Sequence, residues 1–370
     1  MSPRRSDSSE RCRASRSLFA SLAVLRAGVA VACVAIAPVL RAQAESASEI
    51  SREVKEVFTR SAKAVVKIRA TDEHGKLSGT GFFIDPAGTI YTAFSVGADA
   101  ENFTVEMDGK EVPARQVLAD RRSGLAMLKL DDITTPYLPI GRSDGLEVAT
   151  PVLTVGFPLD LPQTPSFGMI AGFDRKFLGR YFSTTHLRVN LPTQRGEAGA
   201  PLLNFKGEVV GVLVSSVDNS SACYALPIDA AEKIHSDFVR FGEPRHGWVG
   251  INVAEAVTEV EGSRAQFTDI MPGTPAAECG AKPGDTLLEV GRMKVRQPED
   301  VIDASFFITA GDRVPITVMR GQQKLTFEVE AVFHPSAERP PNGMPFNARP
   351  PVIASPLSPQ AMPLGLDRTP

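Results

Sequence analysis

The sequence predicts a mainly β protein with two domains. In the middle of the chain, short apolar runs alternate with turn signals about every 8–12 residues, a rhythm typical of a β-barrel or a β-sandwich. The chain has 370 residues, which is long enough for two domains, and its 43% hydrophobic and 22% charged content is ordinary for a globular protein. From Gly247 onward the pattern changes to strands around one helix, which predicts a smaller α+β domain.

Residues 1–44 have the features of an export signal. Arginines precede an uncharged apolar run from Ala27 to Leu40, and Ala42-Gln43-Ala44 offers the small side chains of a cleavage site. We expect cleavage after Ala44 and export to the periplasm or cell envelope. An uncleaved membrane anchor is the alternative, although the run is shorter than the ~20 residues of a spanning helix.

Charge and cysteine content exclude several classes of function. Residues 1–44 hold seven arginines and two acids, so the remainder carries a net charge of −8, which gives no support for nucleic-acid binding. Beyond the signal only Cys223 and Cys279 remain, in different predicted domains, so no disulfide framework is implied. No group of Cys and His has metal-ligand spacing, and we expect no metal or other cofactor.

The first domain is predicted over residues 61–235. A short amphipathic helix over 45–60 leads into it, because Ile50, Val54 and Val57 recur at helical spacing. The strands predicted inside the domain are Val65–Ala70, Gly79–Asp85, Thr89–Thr92, Phe103–Met107, Glu111–Gln116, Leu125–Leu130, Pro151–Phe157, Leu202–Phe205, Val209–Ser215 and Ala222–Leu226.

The second domain is predicted over residues 247–333. A helix over Ile228–Phe241 closes the first domain, and a linker is expected over 236–246. The expected elements of the second domain are a helix near Pro298–Thr309 and strands at Val314–Arg320 and Leu325–Ala331. Residues 334–370 form a tail with ten prolines, which predicts disorder because such a segment cannot bury a core.

An ordered series of short motifs resembles the HtrA (Deg/Do-like) family of trypsin-like serine proteases. The motifs are Gly79-Thr80-Gly81-Phe82, Gly88-Thr89-Ile90-Tyr91-Thr92, Leu138-Pro139-Ile140-Gly141-Arg142-Ser143-Asp144, Val152-Leu153-Thr154-Val155-Gly156-Phe157-Pro158 and Tyr224-Ala225-Leu226-Pro227-Ile228. No single motif is specific, but their order is. The resemblance covers about residues 65–333. It implies a chymotrypsin-like pair of six-stranded β-barrels followed by one PDZ domain, and assembly into trimers.

The resemblance also implies three catalytic positions, and all three are substituted. Ser95 stands in the place of the family histidine, Gly124 in that of the aspartate, and Ala198 in that of the serine. Alanine has no nucleophilic atom, a serine hydroxyl is no general base near neutral pH, and glycine has no side chain to orient a base. The chain therefore resembles a catalytically degenerate member, a pseudoprotease.

The loop that holds Ala198 would supply the oxyanion hole. Its backbone N–H groups at Gly196 and Ala198 are the expected donors, and the neighbouring Glu197 carboxylate is expected to oppose a developing negative charge. We expect this vestigial loop to persist as a tight barrel turn. Asp120 lies four residues before Gly124, yet the sequence offers it no histidine to orient, and the lone His186 is more typical of a structural side chain.

The second domain keeps the features of a peptide-binding PDZ domain. Trp248-Val249-Gly250-Ile251, termed the carboxylate loop below, resembles the loop that receives a peptide C-terminus, and glycine at 250 permits close backbone approach. Val253, Ile302 and Phe306 are candidates for the pocket of the last side chain. For Ile302 and Phe306, packing in the core is an equal alternative.

These observations lead to three hypotheses. The first is an exported pseudoprotease that binds peptide C-termini or unfolded polypeptides, as a scaffold, a chaperone-like holder or a regulatory subunit in protein quality control, alone as a homo-trimer or with active relatives. The second is an active serine endopeptidase that degrades misfolded exported proteins by a non-standard site. The third is a structural envelope protein with a redundant PDZ domain.

Overall fold

The computed structural model describes residues 49–72, 75–97, 100–107, 109–177, 180–216 and 222–333. The predicted signal segment and the proline-rich tail lie outside these residues, as do His74 and His334. Within them, no helix is both long and apolar enough to cross a membrane.

The first domain begins with a helix, α1, over residues 49–61, which turns into a short 3₁₀ segment at Ala62–Ala64. An antiparallel sheet follows, with the strand order β5-β4-β1-β2-β3-β7-β6. Its elements are β1 (Val65–Asp72), β2 (Gly75–Phe83), β3 (Thr89–Ala93), α2 (Phe94–Gly97), β4 (Glu101–Met107), β5 (Lys110–Pro113), β6 (Arg115–Asp120) and β7 (Leu125–Lys129).

This sheet has seven strands, not the six that the resemblance implied. The strand predicted over Glu111–Gln116 is interrupted at Ala114, whose N–H donates to the carbonyl of Phe103 at 2.9 Å. Pro113 ends β5 because proline has no N–H for a further ladder bond. One predicted strand therefore forms two.

Six strands form the second unit, a closed barrel in the order β10-β13-β12-β11-β8-β9. They are β8 (Pro151–Gly156), β9 (Thr164–Phe177), β10 (Arg180–Val189), β11 (Pro201–Leu203), β12 (Val209–Ser216) and β13 (Cys223–Pro227). The pattern did not predict the long β9–β10 hairpin. Large apolar residues such as Phe167 and Met169 lie exposed on β9, which hides the usual alternation of buried apolar and exposed polar residues.

One apolar cluster joins the two barrels to helix α3 (Ile228–Phe241). It includes Phe82 and Tyr91 from the first unit, Leu153 from the second and Ile234 from the helix. The helix has the bounds that the sequence predicted, and it ends where Gly242 takes the left-handed conformation and donates to the Phe238 carbonyl at 2.8 Å. The linker expected over 236–246 therefore begins inside the helix, and only residues 242–246 connect the domains.

The C-terminal domain is a small sheet with two short helices. Its elements are β14 (Gly247–Trp248), β15 (Ile251–Val260), β16 (Ser263–Ile270), α4 (Pro275–Glu278), β17 (Thr286–Val290), β18 (Met293–Lys294), α5 (Asp300–Phe306), β19 (Arg313–Arg320), β20 (Gln323–Glu330) and β21 (Val332–Phe333). The main sheet runs β15-β16-β17-β19-β20, so β15 lies at its edge. A separate pair, β14 and β21, joins the two ends of the domain.

Candidate functional site

The structure brings the three substituted positions together between the barrels. Ser95 is exposed in α2, directly after β3. The N–H of the preceding Phe94 donates to the carbonyl of Gly124 at 2.7 Å. Ala198 is half-buried and packs against the core cluster of the first unit, which includes Val96. We call this place the triad cleft.

Gly124 lacks a side chain and also has a backbone conformation that glycine favours. Its φ is +80°, a left-handed conformation that glycine adopts freely and other residues adopt at a cost. A Cβ built at this position would lie 3.4 Å from Cγ1 of Val214 in the second barrel. A side chain at 124 would therefore be strained and would contact Val214.

Two glycines fix the loop that holds Ala198. Gly196 has φ +96°, and a Cβ there would lie 2.3 Å from the Phe157 carbonyl oxygen. Gly199 has φ +85°, and a Cβ there would lie 2.2 Å from the Thr80 carbonyl oxygen. The Thr80 hydroxyl donates to the Gly196 carbonyl at 2.6 Å. The loop is thus a close-packed turn, and any side chain at either glycine would collide with backbone.

The two N–H groups assigned to the oxyanion hole are free. Among the described residues, neither the Gly196 N–H nor the Ala198 N–H donates a hydrogen bond. They could receive a substrate oxygen, but Ala198 supplies no nucleophile beside them.

The Glu197 side chain is buried and bonded within its own loop. Its side chain is 2% exposed, and its carboxylate accepts the N–H of Gln194 at 2.6 Å. Burial raises the pKa of this carboxyl, and the hydrogen bond from Gln194 offsets only part of that rise. The carboxylate therefore braces its own loop, and its effect on charge at the oxyanion hole stays a prediction.

Neighbouring thiol and hydroxyl groups do not replace the missing nucleophile. Burial, with a contribution from the negative charge of Glu197, raises the pKa of the Cys223 thiol to about 12, so it stays protonated at neutral pH. The Thr80 hydroxyl donates to Gly196 and accepts the N–H of Phe157 at 3.2 Å. Both groups are parts of the packed interior.

The histidines that the structure describes make their contacts with residues other than Ser95, Gly124 and Ala198. His186 is buried, stacks on Phe182 with ring centroids 4.3 Å apart, and has its pKa lowered by that burial. His235 packs edge-on against Tyr91 at 5.7 Å. His246 lies at the domain junction, where its Nε2 is 3.3 Å from Oδ1 of Asp120. Asp120 thus has a histidine partner after all, which the sequence did not reveal because the two residues are 126 positions apart.

Two backbone hydrogen bonds hold the carboxylate loop of the second domain in place. The carbonyl of Val249 accepts the Ala276 N–H at 3.0 Å, and that of Gly250 accepts the Met271 N–H at 3.2 Å. Gly250 has φ +84°, and a Cβ there would lie 2.3 Å from Cβ of Thr274. The N–H groups of Val249 and Gly250 donate no hydrogen bond within the described part of the chain. They form a ready donor pair for a carboxylate.

The carboxylate loop leads directly into the edge strand β15. Ile251 and Val253 are half-buried and pack against the core of this domain. Within the described residues, β15 pairs with β16 alone, so its outer edge carries unpaired backbone groups. Ile302 is half-exposed on helix α5. Residues 248–253 therefore form one continuous segment that runs from the carboxylate loop into the edge strand.

Of the two roles that the sequence left open for Phe306, the structure supports packing in the core and not the peptide pocket. Its ring is fully buried in the cluster that joins the barrels, 5.7 Å from the ring of His246 and 5.8 Å from Nζ of Lys233. Helical spacing showed that this face of α5 is buried, but not which neighbour buries it. Phe306 belongs to the contact between the domains.

Helix α5 is fastened to the β9–β10 hairpin by a cluster that sequence reasoning missed. We call it the docking cluster, and its members are Arg175, Thr184, Thr185, Asp300 and Asp303. The Asp303 carboxylate accepts the hydroxyls of Thr184 and Thr185 at 2.8 and 2.7 Å, and Nε of Arg175 at 3.1 Å. Arg175 also donates to Asp300 at 2.6 Å. In the sequence, the only sign of this cluster was the pair of acids at positions 300 and 303, near the start of a predicted helix.

Comparison with known protein families assigns the two domains. Residues 79–212 match the model described as a trypsin-like peptidase domain, and residues 266–320 match a PDZ domain. The chain is 28% identical, over 74% of its length, to a probable periplasmic serine endoprotease DegP-like of Rhizobium meliloti. It is 29% identical, over 66% of its length, to the putative serine protease HhoB of Synechocystis. The chain belongs to the HtrA family.

Solved HtrA structures share this fold. The structure described as HtrA-type protease AlgW with tripeptide superposes with a TM-score of 0.65 at 24% identity, over 78% of this chain and 99% of the other. The serine endoprotease from Yersinia pestis gives a TM-score of 0.57 at 25% identity, over 76% of this chain and 98% of the other. The chain spans about three fifths of the length of the DegP-like relatives, covering 57% and 60% of two of them.

Proposed function

We propose that this chain is an exported, non-proteolytic HtrA protein that binds peptide C-termini or unfolded polypeptides through its PDZ domain. It serves protein quality control as a scaffold, a chaperone-like holder or a regulatory subunit of active relatives. One observation carries the proposal: Ser95, Gly124 and Ala198 converge in the triad cleft, where position 198 has no nucleophilic atom and neither of the other two residues supplies a general base or an acid that orients one.

The size of the chemical loss supports this proposal. Removing one triad member from a serine protease lowers its rate by roughly 10⁴–10⁶, and the effects of several losses do not simply add. Only transition-state binding by the free N–H groups of Gly196 and Ala198 is left. Without a nucleophile those groups bind an oxygen atom but do not cleave a peptide.

The PDZ domain supports the binding half of the proposal. Free N–H groups at Val249 and Gly250 lie at the start of an unpaired edge strand, the arrangement in which a peptide adds as a further strand. Solved HtrA-type AlgW structures are described as holding a tripeptide or a decapeptide. Relatives named as periplasmic endoproteases support export of this chain.

Two assays on the purified full chain test the proposal. The first incubates the chain with β-casein beside an active HtrA protease, and we expect no fragments from this chain. The second titrates it with a peptide that ends in an apolar residue and follows the fluorescence of Trp248, the one tryptophan in the sequence. Saturable binding that is lost when the peptide C-terminus is amidated supports the proposal, and casein cleavage or the absence of binding contradicts it.

A second candidate function is an active endopeptidase with a non-standard site. The observation in its favour is the pair of free N–H groups at Gly196 and Ala198, which an oxyanion could occupy. If the casein assay shows turnover, His246→Ala distinguishes a relocated His–Asp pair from a contaminating protease. Turnover that this variant abolishes would establish the second function.

We further propose that the chain self-associates through β9, in line with the trimers of its family. Phe167 and Met169 lie on one face of this strand, each 42% exposed. Apolar residues of this size in a row on a barrel surface are typical of an interaction site. Light scattering after gel filtration tests this: Met169→Glu should lower the measured mass to that of one chain, and Tyr181→Glu should not.

A further inference from the structure

The position of the edge strand relative to the carboxylate loop determines the direction of a bound peptide. A peptide whose terminal carboxylate meets the N–H groups of Val249 and Gly250 runs antiparallel to β15 from there. Its last residue then lies beside Ile251, the residue two positions upstream beside Val253, and the residue four positions upstream beside Glu255. This register rests on the proposed peptide-binding function.

Glu255 lies on the same face of β15 as the predicted pocket residues. Its cross-strand partner Ala265 is fully buried, and the partner of Val253 is the buried Phe267. Directly opposed residues of antiparallel strands share a face, so Val253 and Glu255 both lie on the core side of the sheet. The Glu255 side chain is nevertheless 68% exposed, with its carboxylate 3.6 Å from the Arg264 guanidinium.

The charges along β15 are of one sign. The strand carries Glu255 and Glu259 and no basic residue. Arg264 of β16 lies 3.6 Å from Glu255 and 3.9 Å from Glu259, so a single exposed cation is shared between two acids. Because one exposed arginine at these distances cannot neutralise two carboxylates, net negative charge remains beside the peptide path.

We propose that Glu255 selects peptides that carry Arg or Lys four residues upstream of an apolar C-terminal residue. An opposed pair of unlike charges on neighbouring strands strengthens pairing modestly, and like charges weaken it. The expected preference for Arg over Ala at that position is about two- to fivefold in affinity, and Glu should bind more weakly than Ala by a similar factor. The preference should shrink in high salt, because the pair is exposed.

Three heptapeptides that differ only at the residue four positions upstream of the C-terminus, as Arg, Ala or Glu, test the proposal on the full chain. Affinities are read from Trp248 fluorescence or from anisotropy of a labelled peptide. Glu255→Lys should reverse the order of the three peptides. Glu259→Lys is the matched control, because it changes the net charge equally but lies eight positions from Ile251, beyond the end of a heptapeptide.

The outcomes distinguish a failure of the proposed PDZ function from a failure of the proposed selectivity at Glu255. If none of the peptides binds, including the Ala peptide, the proposed PDZ function fails. If all three bind with equal affinity, or if Glu259→Lys reverses the order as Glu255→Lys does, peptide binding stands and the selectivity at Glu255 is refuted. Reversal by Glu255→Lys alone supports the assignment.

Discussion

The carboxylate of Asp303 accepts the hydroxyl of Thr184 at 2.8 Å, across the boundary between the PDZ helix α5 and the second barrel. Asp303 is 8% exposed and also accepts from Arg175 and Thr185. A buried carboxylate is tolerated because these donors replace its lost water. The relationship therefore fixes the position of the PDZ domain on the second barrel.

Removing this carboxylate should loosen the domain contact. Asp303→Ala removes one of the two carboxylates that Arg175 binds and leaves the hydroxyls of Thr184 and Thr185 without their acceptor, so we expect the free energy of unfolding to fall by about 3 kcal/mol. Urea unfolding measures this, and limited proteolysis within residues 242–246 should accelerate. Glu299→Ala, at an exposed neighbouring position, should change neither quantity. Equal stability of the two variants would show that the docking cluster contributes little.

Restoring the three family side chains should not restore proteolysis. In a variant with Ser95→His, Gly124→Asp and Ala198→Ser, residue 124 still needs φ near +80°, which costs an L-residue about 1–2 kcal/mol, and its side chain contacts Val214. We expect casein cleavage by the triple variant to stay at the level of the unmodified chain. Cleavage that disappears in the double variant retaining Ala198 would show that only side chains were lost.

The buried carboxyl of Glu197 should make stability depend on pH. Burial raises its pKa in the folded state, so its stabilising protonation is complete below about pH 4.3, the ordinary value, and is lost as pH rises through the raised pKa. Glu197→Gln keeps an acceptor for Gln194 but cannot ionise. The stability of the unmodified chain relative to this variant should therefore fall as pH rises above about 4.3 and then level off. Urea unfolding over this range tests it, and a pH-independent difference would contradict the burial argument.

Closing the space at Gly250 should abolish peptide binding. A Cβ at this position would lie 2.3 Å from Cβ of Thr274, so Gly250→Ala must displace the carboxylate loop. Gly273→Ala is the matched control, since Gly273 also has positive φ but no atom within 4 Å of a built Cβ. We expect similar backbone strain in both variants and loss of the Trp248 fluorescence response to peptide in the first alone. Binding that survives Gly250→Ala would place the peptide elsewhere.

The sequence predicted elements whose signals are local. Helix α3 has its predicted bounds because Gly242 ends it and its apolar residues recur regularly. The role of the carboxylate loop stays a prediction, which rests on the short motif around Gly250. The β9–β10 hairpin was not predicted, since exposed Phe167 and Met169 break the usual pattern on β9.

Long-range pairs could not be read from the sequence. His246 and Asp120 are 126 positions apart, and Arg175 and Asp303 are 128 apart. Patterns identify which residues are buried or charged, but the partner of each depends on how the domains pack. For the same reason the sequence left open whether Phe306 lines a peptide pocket or packs in a core, and it is found packed between the domains.

The burial of Phe306 has a practical consequence for dissecting this protein. Cutting the chain within residues 242–246 would expose its ring and, with it, the carboxylate of Asp303, on a module that has lost the partners of both. The opposite fragment would carry an unpaired Arg175 and an uncovered apolar face. The two modules should consequently unfold as one cooperative unit, and a PDZ fragment made alone should aggregate where the full chain stays in solution.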